Sequence, residues 1–409
     1  MRRARDDDTA SDDAHPPDSL PGLHASIHDL SSTLRVLRSH FPDLYFEFAD
    51  DFALEEQLLQ AKAKRLRTQA THFQFDLLNV LDHVLNFRFS YEHIMSLASA
   101  LLPDEIETSA RDKCSGSMGL AILLYRFAWP SRWFSAKSFF GRSTPWLSRV
   151  YHCTLDIMYD IADIVLRDPS LPYLTSGLYD FLAASEPFLK DWGLSVYGVV
   201  DGTFHETCKP LHPDEREAYS SHKHGHGLGT LSVNTMDGMC AHVIGPTLGR
   251  STDALSAISG NLLLNLDRLN AGLIADGIPR PCIIGDAGFA LSDSIVTPWS
   301  KRHIRGDNRS LDASQKMLNF ILARERMGAE WAILVAKKYW KGMTFATQHQ
   351  LLLTDPHKGV LVSYLLANFI ICAKGSQHED YYGVYAPPFD DYLKFVVNRV
   401  RFKLARHRI

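Results

Sequence analysis

Two short apolar runs, each ending on an aspartate beside a glycine, constrain the fold of this chain more than any other feature. The first reads Tyr-Gly-Val-Val-Asp-Gly-Thr over residues 197–203, and the second reads Cys-Ile-Ile-Gly-Asp-Ala-Gly over residues 282–288. β-Branched residues favour buried strands, and glycine lets the backbone turn sharply. Each run therefore predicts a buried strand that carries one carboxylate, Asp201 or Asp286, to an edge of a sheet, with Gly202 turning the chain away from the first strand.

A third acid, Glu330, lies in a long helical pattern over residues 313–338, one turn after Arg326. An exposed pair at this spacing contributes only a few tenths of a kcal/mol. The apolar neighbours Met327 and Trp331 instead predict that Glu330 is a buried, oriented carboxylate. Two aspartates at strand ends and a glutamate on a helix are the components of a two-metal phosphoryl-transfer site.

The composition limits how such a site meets nucleic acid. The chain has 409 residues, 45% of them hydrophobic and 22% charged, with a net charge of −4. This is the balance of a globular protein with two to three domains, and its overall charge does not attract DNA. DNA contact must therefore use local basic patches or a partner. The longest apolar run, residues 359–373, is too short and too polar for a bilayer span and predicts a buried helix, so no membrane association is expected.

The N-terminal quarter divides by composition. Residues 1–22 are rich in Asp, Pro and Ser and predict a disordered acidic tail. Residues 23–104 predict a helical region, with a helix capped by Ser90 and ending near Leu101. A basic cluster at residues 62–67 is read either as a solvated helix face or as a DNA or nuclear-import segment.

Residues 105–170 predict three helices joined by short turns, over residues 116–128, 133–140 and 144–166. This pattern is typical of a helix-turn-helix domain, whose phosphate contacts would be Arg126, Arg132, Lys137, Arg142 and Arg149. The alternative is an all-α packing domain that never touches DNA.

Residues 190–375 predict an α/β domain with an RNase H-like core. The expected order is a strand at 194–200, a strand beginning near His226, a strand at 240–245, a helix at 252–266, a strand at 282–284 and the helix at 313–338. This order places Asp201 and Asp286 on neighbouring strands. Residues 376–409 predict a C-terminal basic tail that serves nuclear import or binds phosphate.

Three alternating histidines, His222, His224 and His226, offer a different chemistry. If they lie in a strand, its two-residue period places all three on one face, where they form a metal site. A histidine-dependent metal hydrolase is therefore an alternative function.

Several blocks, in this order and spacing, resemble the PIF/Harbinger family of DDE transposases and Harbinger-derived nucleases. They cover roughly residues 105–395 and lie at residues 111–120, 140–143, 197–203, 219–226, 245–253, 285–286, 326–331, 365–368, 375–377 and 387–388.

The resemblance implies an RNase H-like fold and a DDE triad that binds two Mg²⁺ (or Mn²⁺) ions and cuts DNA phosphodiesters. The triad residues are Asp201, Asp286 and Glu330. It also implies that four further residues contact substrate or orient the acids, namely Lys223, His226, Asp253 and Arg326. The chain departs from the family at Thr252, where relatives carry a histidine, and at Leu334, where they carry a glycine.

The resemblance also bears on partners and location. Harbinger elements commonly encode a Myb-like protein that supplies DNA binding and nuclear import, so such a partner, a nuclear location with some cytoplasmic protein, and a possible homo-oligomer are expected. The rival function is that of a host-retained transposase relative, which binds DNA or protein without cutting.

Overall fold

The computed structural model of the chain describes residues 78–210, 215–289, 292–300, 310–344 and 355–406. The expected acidic tail, the basic cluster at 62–67 and most of the 23–104 region lie outside the described residues. Of the described residues, 132–147 belong to one compact unit, and 79–131 with those from 148 onward belong to another.

The described residues before the main sheet are mostly helical. They form α1 (Val80–Phe87), α2 (Tyr91–Leu101), the hairpin of β1 (Glu105–Glu107) and β2 (Lys113–Ser115), α3 (Gly116–Ala128), α4 (Trp133–Phe140), α5 (Thr144–Leu166), α6 (Pro172–Ser176) and α7 (Leu178–Leu189).

The helices predicted in this region are confirmed. The Ser90 hydroxyl accepts a hydrogen bond from the amide of His93 and so caps α2. Helix α5 spans Thr144–Leu166, as predicted. The hairpin β1–β2 was not predicted. A DNA-reading role for α3, α4 and α5 stays a prediction.

The second half of the chain builds the sheet. Its elements are β3 (Ser195–Glu206), α8 (Glu215–Ala218), β4 (Tyr219–Ser220), β5 (Gly225–Asn234), β6 (Cys240–Leu248), α9 (Asp253–Ser259), α10 (Leu262–Ala275), β7 (Pro281–Ile284) and β8 (Ile295–Val296).

Strand β3 lies at the centre of this sheet. The strand order is β4-β5-β3-β7-β8, and β6 also pairs with β5. Strand β3 is antiparallel to β5 and parallel to β7, with Val199 opposite Ile284. Val196, Tyr197 and Val200 are fully buried. The prediction that the strands leading to Asp201 and Asp286 are neighbours is confirmed, and the fold is a mixed α/β fold.

Two predicted elements have wrong boundaries, and one strand was missed. Strand β3 continues past Asp201 to Glu206, because Gly202 to Glu206 pair with β5. The predicted helix over 252–266 is two helices, since Asn261 takes a left-handed conformation with φ of 54° after Gly260. The two-residue strand β8, parallel to β7, was not predicted.

Four helices complete the described chain: α11 (Ala313–Tyr339), α12 (Pro356–Lys374), α13 (Gln377–Tyr382) and α14 (Phe389–Arg406). Asp312 and Gln315 form a reciprocal cap at the start of α11. Helix α12 is long and apolar enough to cross a membrane, but 67% of its apolar window is buried inside the protein. The prediction of a buried core helix is confirmed.

The expected basic tail at residues 376–409 is wrong for its described part. Helix α14 buries Tyr392 and Val396 in the core, and the Arg399 guanidinium pairs with Asp168. Apolar residues at helical spacing fix this segment to the domain, although its last residues carry several basic side chains.

Candidate active site

The guanidinium of Arg326 brings the three predicted acids together. Its Nη1 atom lies 4.0 Å from Oδ1 of Asp201 and 4.0 Å from Oδ2 of Asp286. Its Nη2 atom lies 3.5 Å from Oε1 of Glu330. Three carboxylates thus surround one guanidinium, so negative charge is in excess at this site.

Each acid is held by a different element. Asp201 lies within β3, opposite Ser232 of β5. Asp286 follows the end of β7, where its Oδ1 atom accepts a 2.8 Å hydrogen bond from the amide of Gly288. Helix α11 packs across β3, β5 and β7 and supplies Arg326 and Glu330 from adjacent turns. The sheet fixes two acids, and the helix across it supplies the third together with its cation.

The prediction that Glu330 is buried is wrong. Its side chain is 54% exposed, against 20% for Asp201 and 33% for Asp286. Helix α11 turns a different face to the core, which includes Ala329 and Ala332, while Met327 and Leu334 are exposed with Glu330. Glu330 is therefore oriented by Arg326 rather than by burial.

Burial and neighbouring charges both shift the pKa of the Asp201 carboxyl. Burial raises the pKa of its carboxyl above the ordinary range, and the charges of Asp286 and Glu330 raise it further. The charge of Arg326 and a hydrogen bond from the backbone of Gly202 partly oppose the shift. An additional cation at this position would relieve the repulsion.

A fourth carboxylate, Asp253, lies against Gly202. A Cβ atom at residue 202 would approach within 2.5 Å of both carboxylate oxygens of Asp253. Gly202 is therefore required for close approach rather than for the turn that the sequence suggested. Burial raises the pKa of Asp253, and the charge of Asp286 adds to the shift. Asp253 thus belongs electrostatically to the same cluster.

We expect Gly202→Ala to disturb the site while leaving the sheet formed. The new methyl group must displace the Asp253 carboxylate or β3, and misplacement of this size lowers turnover on the order of tenfold to a hundredfold. DNA cleavage and thermal melting are the measurements. The control is Gly272→Ala, because an added Cβ there meets nothing within 4 Å. Wild-type cleavage by Gly202→Ala would show that the position of Asp253 is unimportant.

Lys223 and His226 have separate environments. Lys223 is exposed in the turn before β5, and its charge acts on Asp253. His226 lies in β5 with its ring 5.2 Å from the ring of Tyr219. His222 and His224 are exposed in the turn, so the predicted strand face of three histidines is wrong. In this turn His224 takes a left-handed conformation, with a φ of 53°.

Sequence reasoning missed Lys337. Burial lowers the pKa of its ammonium group, the charge of Asp201 opposes that shift, and the charge of Lys223 adds to it. Lys337 follows Glu330 by seven residues on α11, which places the two on the same side of the helix. That spacing is the signal that identifies it as a second cation of the site.

The donor set suits a hard divalent cation, since carboxylate oxygens are the ligands that Mg²⁺ prefers. Among the described residues, however, no three His, Cys, Asp or Glu side chains lie close enough together to form a ready metal-ligand group. The Arg326 guanidinium lies where the three carboxylates converge. The residues thus fit a divalent cation in donor chemistry and in charge, whereas their spacing around Arg326 is not that of a metal-ligand group.

One family of known proteins matches the part of the chain that holds this cluster. The sequence profile of the DDE superfamily endonucleases matches residues 200–368. The matched region contains Asp201, Asp286, Glu330, Asp253 and Arg326, and it supports a transposase-like nuclease. Searches of curated proteins and of solved structures gave no match.

Proposed function

We propose that this chain is a divalent-metal-dependent DNA endonuclease or transposase of the Harbinger type. The observation that carries the proposal is the convergence of Asp201, Asp286 and Glu330 on Arg326 inside the region that matches the DDE superfamily endonucleases. Phosphoryl transfer needs positioned charge more than a side-chain nucleophile, and this cluster supplies positioned charge.

Asp201, Asp286 and Glu330 would hold the cations. When bound there, Mg²⁺ or Mn²⁺ would supply the activation of a water or a 3′-hydroxyl and the neutralisation of charge on the scissile phosphate. Asp201 is partly buried and faces the charges of Asp286 and Glu330, so a bound cation would stabilise its ionised form.

The neighbouring residues position the acids and the substrate. Arg326 orients Glu330 and the two aspartates. Its side chain is 29% exposed to solvent. Lys337 and Lys223 place positive charge beside Asp201 and Asp253, where a DNA phosphate needs a counter-charge. The carboxylate of Asp253 packs directly against Gly202, which has no side chain to displace it.

The family resemblance extends the proposal to partners and location. We infer a Myb-like partner that supplies sequence-specific DNA binding, and a nuclear location. The net charge of −4 supports a partner, because DNA affinity of the isolated chain should be weak at physiological salt. Tight, sequence-specific binding by the isolated chain would contradict the partner.

A cleavage assay tests the proposed function. We expect the purified chain, with its partner if needed, to nick or cut plasmid DNA in Mg²⁺ or Mn²⁺ and to lose all cleavage in EDTA. Cleavage that persists in EDTA would overturn the metal-dependent mechanism. DNA binding without cleavage under every metal condition would favour the non-cleaving rival.

A further inference from the structure

A groove of about 820 Å³ lies beside the C-terminal part of α11. It is lined by four lysines, Lys337, Lys338, Lys341 and Lys374, and we call it the lysine groove. Glu379 and Asp380 also line it, so cations outnumber acids. Within the described ranges, the lysine–carboxylate ion pairs involve other lysines and none of these four.

The positive charges of this groove are held close together. The Nζ atoms of Lys338 and Lys374 lie 5.5 and 5.0 Å from the centre of one ring, that of Tyr339. Burial lowers the pKa of Lys374, and the charges of Arg88 and Lys338 lower it further. Packing therefore keeps like charges together, and an anionic ligand would relieve their repulsion.

The lysine groove adjoins the carboxylate cluster through Lys337. Lys337 lines the groove, and its charge also interacts with that of Asp201. Trp331, the residue after Glu330, lines the groove as well. Helix α11 thus carries Glu330 of the cluster and, in its next turns, Lys337 and Lys338 of the groove.

We propose that the lysine groove binds the backbone phosphates of the DNA strand that reaches the carboxylate cluster. This inference rests on the proposed function. A phosphodiester cut at Asp201 has neighbouring phosphates on the same strand, and these would pass along α11 toward Lys338 and Lys341. Lysines bind phosphates as point charges and carry no base information, so the groove positions DNA without reading its sequence.

The test compares two triple variants of the full chain. One is Lys338→Gln with Lys341→Gln and Lys374→Gln. The other, its charge-matched control, is Lys113→Gln with Lys316→Gln and Lys394→Gln, three exposed lysines outside the groove. Affinity for a labelled DNA duplex is measured in EDTA over a range of salt concentrations, and cleavage is measured separately in Mg²⁺. Circular dichroism verifies folding.

For the groove variant we expect weaker binding, and a slope of log affinity against log salt that is smaller by roughly 2 to 3, because each lost phosphate contact removes about 0.9. The control should keep the wild-type slope. A wild-type slope in the groove variant would overturn the proposal, as would unchanged DNA affinity with lost affinity for a poly-glutamate peptide. The latter result would assign the groove to an acidic protein segment.

The two proposals fail in different ways. If the wild type cleaves DNA and the groove variant both binds and cleaves like it, the groove proposal falls and the proposed function stands. If the groove variant loses DNA affinity while no form of the protein cleaves, the groove proposal stands and the proposed function falls.

Discussion

Asp201→Asn, Asp286→Asn and Glu330→Gln are each expected to abolish metal-dependent DNA cleavage. Each change removes the charge of a proposed metal ligand and keeps the size of the side chain, so we expect a loss of about a hundredfold to a thousandfold or more, the scale of removing one group that stabilises a transition state. Cleavage rates and Mn²⁺ affinity, the latter by calorimetry, are the measurements. Retained cleavage in any one variant would remove that residue from the triad.

The matched control is Asp293→Asn. Asp293 is an exposed acid seven residues after Asp286 and outside the Arg326 cluster. It loses the same charge and should keep wild-type cleavage and Mn²⁺ affinity. A comparable loss in the control would mean that net charge, rather than the ligand position, governs activity.

The same substitutions should not unfold the protein, and Asp201→Asn should stabilise the metal-free form. The folded-state pKa of Asp201 is raised above its ordinary value, so the folded protein binds its proton more tightly than the unfolded chain does. The stability that this group contributes is present below the unfolded pKa and is lost as pH rises through the folded pKa. Asparagine carries no charge, so the melting temperature in EDTA at neutral pH should be equal to or above that of the wild type.

The two aspartates could be predicted from sequence because their signal is local. A run of Val and Ile ending on an acid identifies a buried strand whatever surrounds it, and the strand order then places β3 beside β7. The continuation of β3 from Asp201 to Glu206 could not be predicted from the local sequence. Its last residues are mixed in polarity, and they form a strand only because β5 pairs with them.

The exposure of Glu330 could not be predicted because α11 carries apolar residues on more than one face. Met327 and Leu334 favour one orientation in the sequence, but the helix buries Ala329, Ala332 and Ala336 instead. Small residues let a helix approach a sheet closely, which favours that face in packing. The spacing of apolar residues therefore did not determine which face of α11 is buried, and packing against the sheet did.

The approach of Asp253 to Gly202 depends on the same kind of tertiary contact. The sequence shows an aspartate in the first turn of a helix, which is explained by the helix dipole alone. Only the packing of α9 against β5 and β6 brings that helix start to β3. The family resemblance marked Asp253 as a candidate, and the geometry supplies the physical reason.

Arg326→Ala is expected to lower cleavage on the order of a hundredfold or more with little change in melting temperature. The guanidinium contacts three carboxylates at 3.5 to 4.0 Å. Partly exposed contacts of this length contribute little to stability. Their orientation is nevertheless what a phosphoryl-transfer site requires, because catalysis depends on preorganised charge. Arg326→Lys keeps the charge but loses the planar fork, so it should recover only part of the activity.

Arg324→Ala is the informative comparison, because it changes the same residue type two positions earlier on α11. The Nε atom of Arg324 lies 3.2 Å from Oε1 of Glu325, which is fully buried, and its guanidinium lies 4.9 Å from the ring centre of Phe188. Its loss leaves a buried carboxylate with one partner fewer, which destabilises the fold. We therefore expect Arg324→Ala to lower the melting temperature more than turnover per folded molecule, and Arg326→Ala to do the reverse. If both variants lose stability and activity in the same proportion, Arg326 is a structural residue and the carboxylate cluster is organised without it.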